Sequence, residues 1–106
     1  MAKGITPRFK LLIRYNVNSD TNEAYFQFVI NEFIPAMQEL GLYMIQVYLT
    51  AYGNYPLRQV EFVAEDIETV NKAMESDAWQ QLYKKLSMYI SDYDQKVVKF
   101  RDGFQF

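Results

Sequence analysis

The chain contains neither cysteine nor histidine. Without cysteine there is no disulfide, no thiolate nucleophile and no thiolate metal site. Without histidine it lacks the commonest general base near neutral pH and the commonest metal ligand. Zinc or iron held by protein nitrogen is therefore not expected, nor is haem held through imidazole; no metal or cofactor is assigned. The four glycines are scattered singly, so no glycine-rich phosphate loop opens a helix. A net charge of −2 gives no general drive toward nucleic acid or an anionic membrane. No apolar run approaches the roughly eighteen residues of a membrane span. The opening Met1–Arg8 lacks the apolar stretch of a signal peptide, so the default compartment is the cytoplasm.

What is present suits one packed domain, residues 1–106. Half of the chain is hydrophobic, and 17% is aromatic: nine Tyr, eight Phe and one Trp. Two independent cores do not fit in 106 residues. Tyrosine joins an apolar ring to a polar tip, which suits pockets and interfaces.

From Arg8 to Val17, apolar and polar residues alternate with the period of a half-buried strand. Asp20 and Glu23 read as a capping box. Phe26, Val29, Ile30, Phe33, Met37 and Leu40 then form one apolar helical face. Pro35 cannot donate to the carbonyl of Asn31, which predicts a kink, and Gly41 suits a left-handed stop. Strands follow at about 42–52 and 57–64, joined by a loop over Gly53–Pro56. Asp66 caps a short helix carrying Ile67, Val70 and Met74. A second capping box, Asp77 with Gln80, opens another helix with Trp79, Leu82, Tyr83, Leu86 and Ile90 at helical spacing. Ser91–Asp94 reads as a polar connection and Gln95–Arg101 as the last strand. Asp102–Gly103 reads as a turn before Phe104 and Phe106. The fold class is α+β: the ferredoxin-like β-α-β-β-α-β order, with a four-stranded antiparallel sheet, helices on one face and the second helix split in two.

Alternation gives the sheet two unequal faces. One carries Phe9, Leu11, Ile13, Tyr15, Val17, Tyr43, Ile45, Val47, Leu49, Val60 and Phe62, and the helices are expected to cover it. The other carries Leu12, Arg14, Asn16, Met44, Gln46, Tyr48, Glu61 and Val63, joined by Val98 and Phe100 if the last strand keeps the same alternation. That face is too apolar for open water and too polar for a monomer's core. A second copy packed sheet against sheet would shield the apolar members and let Arg14 meet a carboxylate such as Glu61. The expected partner is therefore the chain itself, as a homodimer.

The stretch Asn22-Glu23-Ala24-Tyr25-Phe26, through Phe33-Ile34-Pro35-Ala36-Met37, to Leu40-Gly41-Leu42 resembles the first helix and second-strand entry of the dimeric α/β-barrel superfamily. Glu75-Ser76-Asp77-Ala78-Trp79-Gln80-Gln81-Leu82-Tyr83 resembles its second helix. With Val97-Val98-Lys99-Phe100 and Phe104-Gln105, the chain is most similar to the NIPSNAP-like branch. The resemblance implies a barrel made of two four-stranded sheets, one per subunit. Its members range over cofactor-free monooxygenases of aromatic polyketides, haem-degrading enzymes, lactone isomerases, stress-response proteins and proteins of unknown activity. Several of the enzyme branches rely on histidine, so no catalytic set carries over to this chain.

Three readings of function stand side by side. The first is a small-molecule-binding protein or cofactor-free enzyme with a partly aromatic cavity between sheet and helices. Its candidate lining is Tyr15, Tyr25, Phe28, Tyr43, Trp79 and Tyr83, with Arg58 or Arg14 supplying charge. The second is a structural or protein-interaction module. The third is a cofactor-independent monooxygenase. RNA binding is disfavoured because Arg58-Gln59-Val60-Glu61-Phe62-Val63 lacks the glycine–aromatic signature of RNA-recognition strands. The carboxylate pairs Asp92/Asp94 and Glu65/Asp66 read as caps and solvated loops, and Lys84-Lys85 as a solvated helix face.

Overall fold

A computed structural model describes residues 6–52 and 55–100. Gly53, Asn54 and the expected turn and tail beyond residue 100 lie outside them. The elements are β1 (Phe9–Val17), a 3-10 turn (Ser19–Thr21), α1 (Asn22–Phe28), a π-turn (Val29–Phe33), α2 (Ile34–Glu39), β2 (Tyr43–Tyr52), β3 (Tyr55–Ala64), α3 (Ile67–Glu75), α4 (Asp77–Leu86) and β4 (Ile90–Lys99). The sheet order is β2-β3-β1-β4, with every adjacent pair antiparallel. This is the ferredoxin-like topology that the element order implies.

Each local stop and start has a chemical cause, and several sit one step from where the sequence pattern puts them. Helical dihedrals continue through Phe33 and Ile34, so α1, the π-turn and α2 form one rod. The missing N–H of Pro35 coincides with a widened turn just before it. Asp20 lies inside the 3-10 turn and caps nothing, because that turn intervenes before α1. Asp66 does cap α3, accepting from the Thr69 backbone N–H at 2.7 Å. For α4 the cap is Ser76, whose Oγ accepts from the Trp79 N–H at 3.0 Å, and Asp77 is the first helical residue. Gly41 ends α2 at φ 88°.

Two bulges reshape the outer strands. The register of β2 against β3 shifts between Met44 and Gln46. Before the shift Tyr43 pairs with Val63 and Met44 with Phe62; after it Val47 pairs with Val60. Directly paired residues share a face. Strict alternation puts Tyr43 under the helices and Met44 on the open face, and the bulge exchanges them.

On the other edge, β4 begins at Ile90, and Ser91–Asp94 belongs to the strand instead of a connection. Pairing of Val17 with Ile90 and Asn16 with Ser91 outweighs the polar composition. Asp92 takes a left-handed φ of 57° at this irregularity, and the Asn16 side chain donates to its carboxylate at 3.0 Å.

The core lies between the sheet and the helices, with Leu11, Ile13, Phe33, Met37, Phe62 and Leu86 all but inaccessible. On the open face, Glu61 is buried within its own chain. Lys10 Nζ lies 3.1 Å from one carboxylate oxygen, and Gln59 donates to the other at 2.9 Å. Lys10 also sits 5.5 Å from the Phe100 ring centre. Within the chain Glu61 pairs with Lys10, and Arg14 stays exposed opposite Gln59 and Asp94.

Candidate functional site

The helical rod leaves the edge strand β2 partly uncovered. Val47 and Leu49 point toward the helix side yet remain 48% and 62% exposed. Across from them Phe26 and Ile30 are each half exposed. Between these two rows opens a groove of about 200 Å³. Tyr15, Tyr25, Phe33 and Val60 line it alongside Met44 and Val47, and Arg58 is the one charged residue among its lining residues. An apolar mouth of this kind on a small domain points to a binding site. The volume exceeds the ~150 Å³ of an apolar cavity known to take benzene, so a one- or two-ring molecule fits.

The polar groups of the groove are the Tyr15–Tyr25 pair and Arg58. The two hydroxyls are 2.6 Å apart, and the rings meet edge to face at 6.0 Å. Burial, then the neighbouring Tyr25, hold the Tyr15 hydroxyl protonated far above its ordinary range, and nearby Arg58 only partly opposes this. Tyr15 is thus a hydrogen-bond donor or acceptor here and no base. Whichever hydroxyl of the pair donates, the accepting one keeps a proton to offer.

The Arg58 guanidinium lies 5.1 Å from the centre of the Tyr25 ring. Its Nε is buried and meets no hydrogen-bond partner among the described residues. A cation–π contact returns about 0.5–2 kcal/mol, whereas taking a guanidinium partly out of water without an anion costs several kcal/mol. No carboxylate lines the groove. The acids that alternate near Arg58, Glu61 on its own strand and Asp94 on β4, point to the opposite side of the sheet.

Of the seven candidate ligand residues, the structure brings three together here: Tyr15, Tyr25 and Arg58. Phe28 is packed between Phe33 and Tyr89 in the core. Tyr43 faces the other side of the sheet. Trp79 and Tyr83 form a separate cluster with Tyr93, whose ring lies 4.9 Å from that of Tyr83 and stacks on Tyr15 at 6.4 Å. Burial also pushes the Tyr93 hydroxyl upward. The grooves beside this cluster are shallow and open.

The sequence pattern did not single out Phe26, Val29, Ile30, Phe33, Ile34, Met44, Val47 and Val60 as groove lining. Phe26 and Ile30 were legible only as members of one apolar helical face. Met44 was hidden by the bulge. Among the described residues no cluster of acids suits a metal ion, and no helix is long and apolar enough to cross a membrane.

No protein-family model matches the chain, and no curated protein matches it by sequence. Solved structures do match it by shape. A NIPSNAP family protein from Agrobacterium tumefaciens is 17% identical at a TM-score of 0.67, covering 92% of this chain and 95% of its own. A NIPSNAP domain protein from Burkholderia xenovorans is 8% identical at the same TM-score, covering 92% and 97%. A Deinococcus radiodurans protein described as a candidate antibiotic biosynthesis monooxygenase is 7% identical at a TM-score of 0.68, again covering 92% and 97%. At such identities the likeness speaks for architecture, and the architecture of this chain is the ferredoxin-like fold of the NIPSNAP-like proteins.

Proposed function

We propose that this chain is a homodimeric binding protein for a small, largely apolar organic molecule, held in the groove between the helical rod and β2–β3–β1. The observation that carries the reading is the groove itself: an apolar-walled space of about 200 Å³ that ends on a buried tyrosine pair and an arginine. Exposed Phe26, Ile30 and Val47 at its mouth are costly in water unless something covers them.

The open face supports self-association. Leu12, Tyr48, Val98 and Phe100 share it with Lys10, Arg14 and Asp94, so it carries apolar area and both signs of charge, whereas Val63 and Glu61 on the same face are already buried within the chain. Strands about 4.8 Å apart and about 30 Å long give a four-stranded face of about 600 Å², near the ~800 Å² per partner of a stable interface.

A second reading, a cofactor-independent monooxygenase, draws on the shared fold with the Deinococcus protein. The groove supplies donors and a cation but no carboxylate or imidazole to take up a proton. Binding without chemistry is the better fit.

A panel of one- and two-ring fluoroaromatics, screened by ¹⁹F NMR, tests the proposal. Binders are expected, and Val47→Trp, which fills the mouth while staying on an edge strand, should abolish their binding. A panel without binders, or binders indifferent to Val47→Trp, would contradict it.

A further inference from the structure

Resting on the groove as the binding site, we infer that its natural occupant is a small organic acid: one or two apolar rings bearing a carboxylate that pairs with Arg58. The walls are apolar, which sets the body of the ligand. The single cation among the lining residues has a buried Nε with no hydrogen-bond partner among the described residues. Within the described residues it forms no ion pair, because both salt bridges there belong to other groups.

A guanidinium left this way is complementary to an anion with two acceptor oxygens, which Arg binds in a forked, bidentate manner. The Tyr25 ring lies against one side of the guanidinium and limits its swing. The Tyr15–Tyr25 hydroxyl pair has one proton to give, a second donor for the same anion. A neutral hydrocarbon would fill the walls and leave the Arg58 donor unmet. A phosphate or nucleotide would bring more charge than one guanidinium balances and too little apolar surface for the walls. A cation is excluded by Arg58 itself.

The probes are 2-naphthoate and 2-naphthamide, equal in shape and different in charge, titrated calorimetrically into the full chain. The wild type should bind the acid about ten- to a hundredfold more tightly than the amide. Arg58→Gln should abolish that preference, and Arg58→Lys should keep part of it. Circular dichroism checks that each variant folds. The comparison of the two probes on the wild type decides the matter even if both variants fail to fold.

Equal affinity for acid and amide would overturn the acid assignment and leave the groove reading standing. Failure of both probes together with the neutral fluoroaromatics would overturn both.

Discussion

Tyr15 joins the two halves of the groove's chemistry. Its ring is core, stacked toward Tyr93, and its hydroxyl meets Tyr25. Because burial raises its proton affinity above the ordinary ~10 of tyrosine, the folded chain keeps a proton that the unfolded chain loses at high pH. The sign follows from linkage: the contribution is whole below about pH 10 and is lost as pH rises above it. Urea unfolding followed from pH 8 to pH 11.5 should therefore show stability falling on the alkaline side. Tyr15→Phe should remove up to about 1.4 kcal/mol per pH unit from that fall, one proton's worth. An unchanged alkaline slope would mean that Tyr15 is hydrated and ionises normally. At this scale the candidate residues were half legible. Aromatic richness pointed to Tyr15 and Tyr25, and the charge was left to Arg58 or Arg14, of which the structure places Arg58 at the groove. Trp79 and Tyr83 carried the same signal but pack against Tyr93, in a segment whose polar composition reads as a connection.

Among the elements, α2 and α3 meet closely at Gly41. A methyl on Gly41 would lie 2.6 Å from Thr69 Cγ2, and the Thr69 hydroxyl is itself tied to the Asp66 cap at 2.7 Å. Gly41→Ala should cost about 1–2 kcal/mol for the left-handed backbone, plus the contact with Thr69. Adding Thr69→Ser, which deletes that methyl, should recover the contact part only. Thermal melts of the two variants measure this, and full recovery in the double variant would contradict the backbone argument. The split of the second helix was readable because Ser76 interrupts two amphipathic stripes, and the strand order because period-two runs stand clear of the helical ones. The bulges were not readable. Nothing at Met44–Gln46 marks an extra residue, since no glycine stands there and all three residues suit a strand. Yet that one insertion turned Met44 into the groove and Tyr43 out of it.

For the whole molecule, the sheet divides the work. One side, with the helical rod, builds the core and the groove; the other presents a surface of mixed apolar and charged groups. Sedimentation velocity at micromolar concentration should give twice the single-chain mass, and Leu12→Glu, on an inner strand of the open face, should shift the equilibrium toward single chains. A single-chain mass for the wild type would contradict the dimer. Face polarity makes the dimer an expectation, because a surface half apolar and half charged fits neither water nor core. The site was less legible, because a groove arises from where a helix stops covering an edge strand. That is a matter of packing angles and bulges, which leave no residue-type signature.

The groove is the centre of the account, and locating a bound fluoroaromatic residue by residue tests it most directly. In ¹⁵N–¹H spectra of the full chain, titration should move the amides of Tyr25, Ile30, Val47 and Arg58 and leave those of Lys84, Gln80 and Lys96 in place. Shifts gathered around Trp79 and Tyr83, or spread evenly over the open sheet face, would contradict it.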